Sequence, residues 1–385
     1  MKLIDVCELI VDCPHSTAKD EGQGIPLVRT PNIGKGRLEL AGVHRVSEKV
    51  YNQRIERATP KAGDLILARE APVGNVALIM PGQIVCLGQR VVLIRPDNEK
   101  VDAAYLTYYL LSEEVQHRLI NNANGAVVAH LNMNEIRNLE IDLPELFVQK
   151  RIAGILSSLD DKISLNSRIN HNLEEQIQER FDSMIMSDNG QGYCQMADYV
   201  DVNPKRCLKK NEPAKCVDMS YLSTTGPFPS GWETKGYNGG MKFMNGDTIM
   251  ARITPCLENG KVAYVNFLDD GEVAFGSTEY VVLHAKEGVS PVFTYFLARN
   301  KNFVDYATKN MNGSSGRQRV SGDTIEKYLI PVIDSDSINE FTSYATPAME
   351  VIRNNSFESR SLAATRDAML PLLFSGKLSI SQMNV

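Results

Sequence analysis

One seven-residue stretch occurs twice in this chain of 385 residues. Residues 63–69 read Gly-Asp-Leu-Ile-Leu-Ala-Arg and residues 246–252 read Gly-Asp-Thr-Ile-Met-Ala-Arg, so five of seven positions are identical at an offset of 183. A later match pairs Asn166 with Asn355 at an offset of 189, and the drift is what loop insertions would produce. A period of about half the chain is too long for a solenoid and predicts two tandem domains of one fold.

Each half has the pattern of a mixed domain of short strands and helices. In the first half, β-prone runs bounded by Gly and Pro lie at 62–68, 76–80 and 90–95. They precede one predicted helix, 103–122. The second half repeats this order, with strands predicted at 247–251, 261–267 and 279–284, and a helix near 291–309. Each half is predicted to close with a further short strand, at 131–143 and at 320–332.

Two long amphipathic helices complete the pattern. Residues 144–187 begin at a proline suited to a first helical turn, and their apolar positions alternate by four and three as in a heptad repeat. The predicted seam of this helix is Ile152, Leu156, Leu159, Ile163, Asn166, Leu173 and Ile177. A second helix, about 337–374, repeats the seam with Ile352, Asn355 and Leu362 and has smaller residues elsewhere. Small faces against large ones favour packing of the two helices on each other.

The seam asparagines have two interpretations. A polar residue in a heptad seam fixes register and orientation at some cost in stability, and this reading is favoured for Asn166 and Asn355. A binding role is the alternative.

Charge is distributed unevenly along the chain. The net charge of −6 argues mildly against nucleic-acid binding, which depends on Lys and Arg neutralising phosphates. Basic residues nevertheless concentrate in two segments, 29–69 and 299–319, while acidic residues gather in the predicted helices. Local charge is what matters for such binding, so the pattern fits a DNA reader that docks to other subunits.

Motifs for catalysis, cofactors and metals are missing from the sequence. There is no Walker loop, no Gly-x-Gly-x-x-Gly fingerprint and no Asn-Pro-Pro-Tyr-like methyl-transfer motif. The seven cysteines form no Cys-x-x-Cys pair and no zinc spacing, and they predict reduced thiols in the cytoplasm. We therefore expect no catalytic residue, no cofactor and no metal in this chain. A complete methyltransferase or nuclease is disfavoured.

Both long helices contain stretches that resemble a known family. Leu143-Pro144, Gln149-Lys-Arg-Ile152 and Leu159-Asp-Asp-Lys-Ile163 look like the central conserved helix of Type I restriction–modification specificity (S) subunits. Residues 366–378 look like the distal helix of that family, although 338–341 and 349–352 depart from the pattern of the first helix. The resemblance implies a non-catalytic subunit that binds double-stranded DNA and joins methyltransferase (M) and restriction (R) subunits. Adenine methylation and ATP-dependent cleavage would belong to those partners.

The resemblance also implies an architecture. We expect an α+β fold in which two similar target-recognition domains with mixed or antiparallel sheets and short helices are separated by two long helices packed as an antiparallel coiled coil. The predicted boundaries are 1–143 for the first recognition domain, 144–187 for the central spacer helix, 188–332 for the second domain, 333–376 for the C-terminal spacer helix and 377–385 for a tail.

Strand-end loops in each domain are the predicted base-reading elements. Arg reads guanine, Gln and Asn read adenine, and Lys or backbone N–H groups hold phosphates. The first-domain candidates are Arg29, Asn32, Arg69, Gln89, Arg90 and His130. The second-domain candidates are Arg252, Ser277, Thr278, Ser314, Ser315, Arg317, Gln318 and Arg319. Arg69 and Arg252 could instead form structural ion pairs, and 313–319 could be a solvated turn.

A second function class stays open at this point. A coiled-coil scaffold whose tandem domains bind proteins would also fit the acidic net charge and the two long helices. Salt-dependent duplex binding distinguishes the two.

Overall fold

The computed structural model describes residues 1–121, 130–186, 192–314 and 316–375. It divides into two compact units: unit 1 comprises Met1–Ser164 with Arg360–Val385, and unit 2 comprises Leu165–Ser359. Both divisions fall inside long helices, so each unit contains one globular domain and residues from both helices. The predicted functional boundaries divide the chain on a different criterion and stay predictions.

Unit 1 is built on a five-stranded sheet and a three-stranded sheet. Its strands are β1 (Cys7–Asp12), β2 (Ile25–Val28), β3 (Gly36–Arg37), β4 (Arg45–Val46), β5 (Leu65–Ala68), β6 (Val76–Leu78), β7 (Cys86–Leu87) and β8 (Val91–Pro96). Its helices before the first long one are α1 (Glu48–Arg54), α2 (Ala103–Leu111), α3 (Glu113–Asn121) and α4 (Met133–Arg137). The larger sheet has the order β1-β8-β5-β6-β3, antiparallel except for β3 with β6. The smaller sheet has the order β4-β2-β7.

Unit 2 repeats this framework. Its strands are β9 (Tyr193–Gln195), β10 (Val200–Val202), β11 (Pro213–Val217), β12 (Glu233–Gly236), β13 (Lys242–Phe243), β14 (Asp247–Ala251), β15 (Val262–Tyr264), β16 (Ala274–Gly276), β17 (Tyr280–Ala285) and β18 (Leu329–Pro331). Its short helices are α6 (Pro291–Arg299), α7 (Lys301–Lys309) and α8 (Gly322–Glu326). The sheet β10-β17-β14-β15 is antiparallel and has the order of β1-β8-β5-β6.

The two main sheets also share one register. Leu65 pairs with Ile94 in unit 1, and Thr248 pairs with Leu283 in unit 2, which are matching positions of the repeat. In each unit the central strand is buried on both faces, as its near-continuous apolar sequence requires. The predicted α+β fold with two similar domains is confirmed.

The Gly-Asp pair that begins the repeated motif has a structural purpose. Asp64 and Asp247 are completely buried at the start of β5 and β14. Each carboxylate accepts a hydrogen bond from the backbone N–H three residues earlier, at 2.9 Å and 2.8 Å respectively. Arg95 pairs with Asp64, and Arg206 pairs with Asp247, so neither buried charge is left uncompensated. The motif therefore fixes the turn before the central strand.

Each single helix predicted after the sheet is in fact two helices. The break occurs at Ser112, between α2 and α3, and at Asn300, between α6 and α7. Both residues have extended backbone angles, and the Asn300 side chain accepts the hydrogen bond of the Phe303 N–H at 3.0 Å. A side chain that caps the next helix competes with helix continuation, and apolar periodicity alone does not reveal this.

The strand predicted at 131–143 is wrong. Residues 133–137 form α4, and Glu140 makes only an isolated bridge with Lys2. The corresponding segment of unit 2 contains α8 followed by the short strand β18. Asn132 and Ser321 precede these helices, and such residues favour helix starts over strand continuation.

The two long helices are α5 (Leu146–Met186) and α9 (Ser335–Phe374). In unit 2 their residues are in contact in reverse order: Asn166 contacts Asn355, Asn170 contacts Ile352, and Gln176 contacts Tyr344. This order shows antiparallel packing. In unit 1, Ile152 and Leu156 of α5 share a core cluster with Leu373 of α9. The coiled-coil prediction is confirmed. The tail predicted at 377–385 lies outside the described residues.

Candidate nucleic-acid interface

A cluster of charged side chains lies at the end of β5 in unit 1. Arg69 follows β5 directly and is only 5% exposed. Its Nη1 is 2.6 Å from Oδ1 of Asp12, and its Nε donates a 2.8 Å hydrogen bond to the carbonyl oxygen of Leu131. Its Nη2 lies 2.6 Å from Nε2 of His130. Because all three nitrogens are engaged within the domain, the contacts favour the structural ion pair over base reading for Arg69.

Glu70 holds two of the other first-domain candidates. Its carboxylate is 2.6 Å from Nδ1 of His130 and 2.8 Å from Nε of Arg90. The Arg90 side chain is 57% exposed and that of His130 is 36% exposed, whereas that of Glu70 is 18% exposed. Arg90 also adopts a φ of 65°, a conformation that side-chain-bearing residues rarely adopt. The structure thus brings Arg90 and His130 together at the surface on one shared carboxylate.

The remaining first-domain candidates are tied into local structure. Asn32 is 9% exposed, and its side chain accepts a hydrogen bond from the Arg29 N–H and donates one to the carbonyl oxygen of Glu39. The Gln89 side chain donates to the carbonyl oxygen of His15 and accepts from the Thr17 hydroxyl. Asn32 and Gln89 therefore organise loops, and base reading by either residue stays a prediction. Arg29 is half-buried, and its Nε is buried without a hydrogen-bond partner among the described residues.

Unit 2 has a cluster at the matching strand end, with different residues. Arg252 follows β14, is half-buried and lies close enough to Glu279 for its charge to lower the pKa of that carboxyl. The larger cause of the lowered pKa is Arg319, whose Nε and Nη2 both donate to the Glu279 carboxylate at 2.7–3.0 Å. The Arg319 Nη1 donates to the carbonyl oxygen of Arg317. Arg319 is thus a clamp within the domain, which favours a positioning role for it; base reading by Arg319 stays a prediction.

The segment 312–319 forms a turn fixed by this clamp. Asn312 and Arg319 exchange two backbone hydrogen bonds of 2.9 Å, and the Thr254 N–H donates to the carbonyl oxygen of Gln318. Ser314 and Arg317 are exposed and Gln318 is half-buried. Ser315 lies outside the described residues. The turn therefore presents the exposed Arg317 on a backbone tied to the end of β14.

Ser277 and Thr278 lie just before Glu279. The Ser277 hydroxyl accepts a 3.1 Å hydrogen bond from the Glu279 N–H, and its carbonyl oxygen accepts one from the Met241 N–H at 3.4 Å. Ser277 is half-buried and Thr278 is exposed. Backbone bonds thus place Thr278 beside the Glu279–Arg319 clamp.

Backbone hydrogen bonds establish which positions of the two clusters correspond. The Arg69 N–H donates to the carbonyl oxygen of Arg90, and the Arg252 N–H donates to that of Glu279. The Leu131 N–H donates to the carbonyl oxygen of Arg69, and the Val320 N–H donates to the carbonyl oxygen of Arg252. Arg90 of unit 1 therefore corresponds to Glu279 of unit 2, and His130 corresponds to Arg319. The backbone hydrogen bonds of the two clusters match, but the side chains differ, and the charge changes sign between Arg90 and Glu279.

Sequence reasoning missed the carboxylates of both clusters, Asp12, Glu70 and Glu279. A signal existed in the repeated arginine that follows a buried strand. A buried guanidinium requires an acidic partner, so a carboxylate near Arg69 and Arg252 could have been anticipated. Which acidic residue supplies it depends on loop conformation and has no sequence pattern.

The predicted seam residues of the long helices are all buried or half-buried. Ile177 and Ile352 are completely buried in unit 2, and Leu159, Ile163, Leu173 and Leu362 are half-buried. Asn166 is completely buried, and its amide nitrogen is 2.7 Å from Oε2 of Glu358. Asn355 donates a 2.9 Å hydrogen bond to Oδ1 of Asn170. These contacts support register fixing by the seam asparagines.

Buried acid–tyrosine pairs connect each domain to helical residues of its own unit. In unit 1 the Tyr108 hydroxyl donates a 2.6 Å hydrogen bond to Asp160, which also pairs with Arg366 at 2.6 Å. In unit 2 the Tyr295 hydroxyl donates a 2.7 Å bond to Glu174. Burial is the main cause that raises the pKa of both tyrosines, so both hydroxyls stay protonated donors.

The described residues offer neither a metal-ligand cluster nor a membrane-spanning helix. They contain no cluster of three or more His, Cys, Asp or Glu side chains arranged to hold a metal. No helix in the described part of the chain is long and apolar enough to span a membrane.

Comparisons with known proteins show which proteins this chain resembles. Residues 1–175 match the family model described as Type I restriction modification DNA specificity domain. The chain is thus similar to Type I restriction specificity subunits, with the family match covering residues 1–175 of 385. The Type I restriction enzyme MjaIX specificity subunit of Methanocaldococcus jannaschii is 22% identical over 388 residues, covering 89% of this chain and 83% of that protein.

Two further comparisons define how far the likeness extends. The putative type I restriction enzyme MjaX specificity subunit of the same organism is 26% identical over 174 residues, which cover 44% of this chain but only 41% of that protein. The crystal structure of a Type I restriction–modification S subunit from M. genitalium superposes with a TM-score of 0.60 at 12% identity, covering 97% of this chain and 95% of that one. The structural likeness supports the fold.

Proposed function

We propose that this chain is the DNA sequence-recognition subunit of a Type I restriction–modification complex. Each domain binds one half-site of an asymmetric, bipartite target, and the two long helices set the unread gap between the half-sites. The chain docks methyltransferase and restriction subunits, which perform adenine methylation and ATP-dependent cleavage in the cytoplasm. The chain itself recognises DNA and catalyses no step.

One observation carries this proposal: two domains present different side chains on the same strand-end frame. Unit 1 has Arg90 and His130 where unit 2 has Glu279 and Arg319. Because Glu279 and Arg319 bind each other, unit 2 presents Thr278 and Arg317 on this frame where unit 1 presents Arg90 and His130. Equal frames approach a duplex with equal geometry, and these unequal surface side chains then meet base edges differently. A repeated frame with altered loops is what an asymmetric target of two parts requires.

The exposed groups at these strand ends have the chemistry of major-groove reading. A guanidinium such as that of Arg90 or Arg317 can donate two hydrogen bonds to guanine, and the Gln318 amide can both accept from and donate to adenine. Their carboxylate neighbours are used within the domain, which limits repulsion of DNA phosphates. Arg90, His130, Thr278, Arg317 and Gln318 therefore form our revised set of base-contact candidates.

The helices have a length suited to spacing two half-sites. With 41 and 40 residues, α5 and α9 are each about 60 Å long at ~1.5 Å per residue. Half-sites one turn of B-DNA apart are roughly 34 Å from centre to centre. A pair of helices of this length can therefore hold two recognition domains on one duplex.

Genome-wide mapping of methylated adenines tests the proposal. The chain is expressed with the methyltransferase subunits of its own system in a host lacking adenine methylation. We expect one asymmetric motif of two short specified parts separated by a fixed gap. Absence of methylation and of salt-dependent duplex binding, with retained binding of protein partners, would support the protein-binding scaffold instead.

The gap function has a separate test. Insertion of four residues, about one helical turn, into both α5 and α9 at matched seam positions should change the preferred gap without changing either specified part. An equal-length substitution of exposed residues at the same positions is the control. An unchanged gap would exclude the helices as the spacer.

A further inference from the structure

A second basic surface lies in unit 2, in the loop between β10 and β11. Residues 205–210 read Lys-Arg-Cys-Leu-Lys-Lys, four basic residues and no acidic one in a chain whose net charge is −6. Lys205, Lys209 and Lys210 are exposed. Within the described part of the chain, none of these three ammonium groups forms an ion pair. The loop, hereafter the 205–210 loop, is a local concentration of uncompensated positive charge.

The loop is also fixed in place before any ligand binds. Arg206 is 16% exposed and pairs with the buried Asp247 at 3.1 Å. Leu208 packs against the small apolar cluster that contains Cys216 and Phe275. Since these anchors order the backbone in the free protein, little further conformational entropy is lost when the lysines bind a ligand.

A turn after the loop adds two more anchors. The Lys209 N–H donates a 2.8 Å hydrogen bond to the Glu212 carboxylate, and the Asn211 N–H donates a 2.7 Å bond to the carbonyl oxygen of Tyr237. Asn211 has a φ of 64°, which closes the turn. The three lysines consequently project from a defined turn.

The 205–210 loop is distinct from the strand-end cluster of the same unit. Arg206 pairs with Asp247, the first residue of β14, whereas Arg252 follows Ala251, the last residue of that strand. Five residues of antiparallel strand span about 17 Å at ~3.4 Å per residue. The loop is therefore outside the group of residues that we propose for base reading.

We infer that the 205–210 loop binds the phosphodiester backbone of duplex DNA, independently of base sequence. Lysine ammonium groups are compact point charges without the planar fork that reads guanine, and they suit phosphates. Three unpaired lysines on a preformed turn would neutralise up to three phosphates. This inference rests on the proposed function, because it adds an affinity site to a domain that already reads DNA.

The test is a triple substitution, Lys205→Ala, Lys209→Ala and Lys210→Ala, in the full chain assembled with its methyltransferase subunits. Fluorescence anisotropy measures the affinity for the mapped target duplex and for an unrelated duplex over a series of KCl concentrations. Each lost phosphate contact lowers the slope of log affinity against log salt by about 0.9. We expect the slope to fall by about 2–3 and both duplexes to be weakened by the same factor.

A control variant removes three exposed lysines elsewhere: Lys19→Ala, Lys150→Ala and Lys327→Ala. It changes the net charge by the same amount. The slope of log affinity against log salt should nevertheless stay within about 0.5 of the slope of the unsubstituted complex. Thermal unfolding should be unchanged in both variants because all six side chains are exposed.

Three results would overturn the inference. An unchanged slope would exclude phosphate binding by the loop, and weakening of the target duplex alone would make the loop a base reader. Unchanged DNA binding with loss of a copurifying subunit would assign the loop to a protein partner. If the unsubstituted complex bound neither duplex, the proposed function would fail as well; in the first three cases it would stand.

Discussion

Replacement of Arg317 by alanine separates base reading from folding. Arg317 is exposed on the 312–319 turn, and within the described residues its side chain forms no ion pair. Its N–H donates to the carbonyl oxygen of Ser314 and its carbonyl oxygen accepts from Arg319, and both bonds use backbone atoms of Arg317. Substitution of the side chain leaves them intact.

The expected magnitudes for Arg317→Ala follow from this exposure. The free energy of unfolding should change by less than about 0.5 kcal/mol, as for other exposed residues without partners. Loss of a bidentate contact with guanine costs about 1–3 kcal/mol, a factor of about 5 to 150 in affinity, at one base pair. Discrimination at that position of one half-site should therefore fall while every other position is read as before.

Competition binding with duplexes substituted one base pair at a time measures this effect. Arg317→Lys is the matched control, since it keeps the charge and removes the planar fork. If Arg317 reads guanine, both variants lose discrimination, and only the alanine variant also loses general affinity. Uniform weakening over all duplexes by alanine, with full discrimination restored by lysine, would show a phosphate contact and refute the base-reading assignment.

Three further predictions follow from the buried and clamped groups. Asp247→Ala should destabilise unit 2 by about 3–5 kcal/mol in chemical denaturation, since it leaves a partly buried cation without its partner, whereas Asp269→Ala, with a 92% exposed side chain, should change little. Hydrogen bonds from Arg319 lower the pKa of Glu279 below its ordinary value of 4.5. The Glu279–Arg319 pair therefore stabilises unit 2 fully above pH 4.5, and this stabilisation is lost as the pH falls through the lowered pKa. A Glu279→Gln variant should lack this acid-dependent loss of stability. Mass spectrometry after mild alkylation at pH 8 should find the exposed Cys207 modified first and Cys7 unmodified, because burial raises the pKa of the Cys7 thiol to about 12.

The sequence predicted the elements that obey a single periodicity. The central strands β5 and β14, the two long helices and their seam all follow from apolar spacing and from the repeat itself. Helix breaks at Ser112 and Asn300 could not be predicted, because apolar residues continue on both sides and only local hydrogen bonds of these two side chains mark the interruption. Local hydrogen bonding overrode periodicity there.

The candidate site was predictable in place and not in detail. The loops after the repeated strand do carry the charged clusters, at the positions that the Gly-Asp…Arg motif indicated. Sequence cannot distinguish an arginine that faces its own domain, such as Arg69, from one that is exposed, such as Arg317. That difference depends on whether a carboxylate from a distant loop, such as Asp12, lies within reach.

Under the proposed function, identity between the two halves marks structure, and difference between them marks recognition. Arg69 and Arg252 occupy the same position, donate one and accept one matching backbone hydrogen bond each, and are at least half-buried. A feature common to both domains cannot encode two different half-sites. Arg90 and Glu279 also share a position but have opposite charges: the exposed Arg90 can donate to guanine, whereas Glu279 is held by Arg319 and serves the turn that exposes Arg317. In a repeat of this kind, mutagenesis should target the positions at which matching backbone frames carry different side chains.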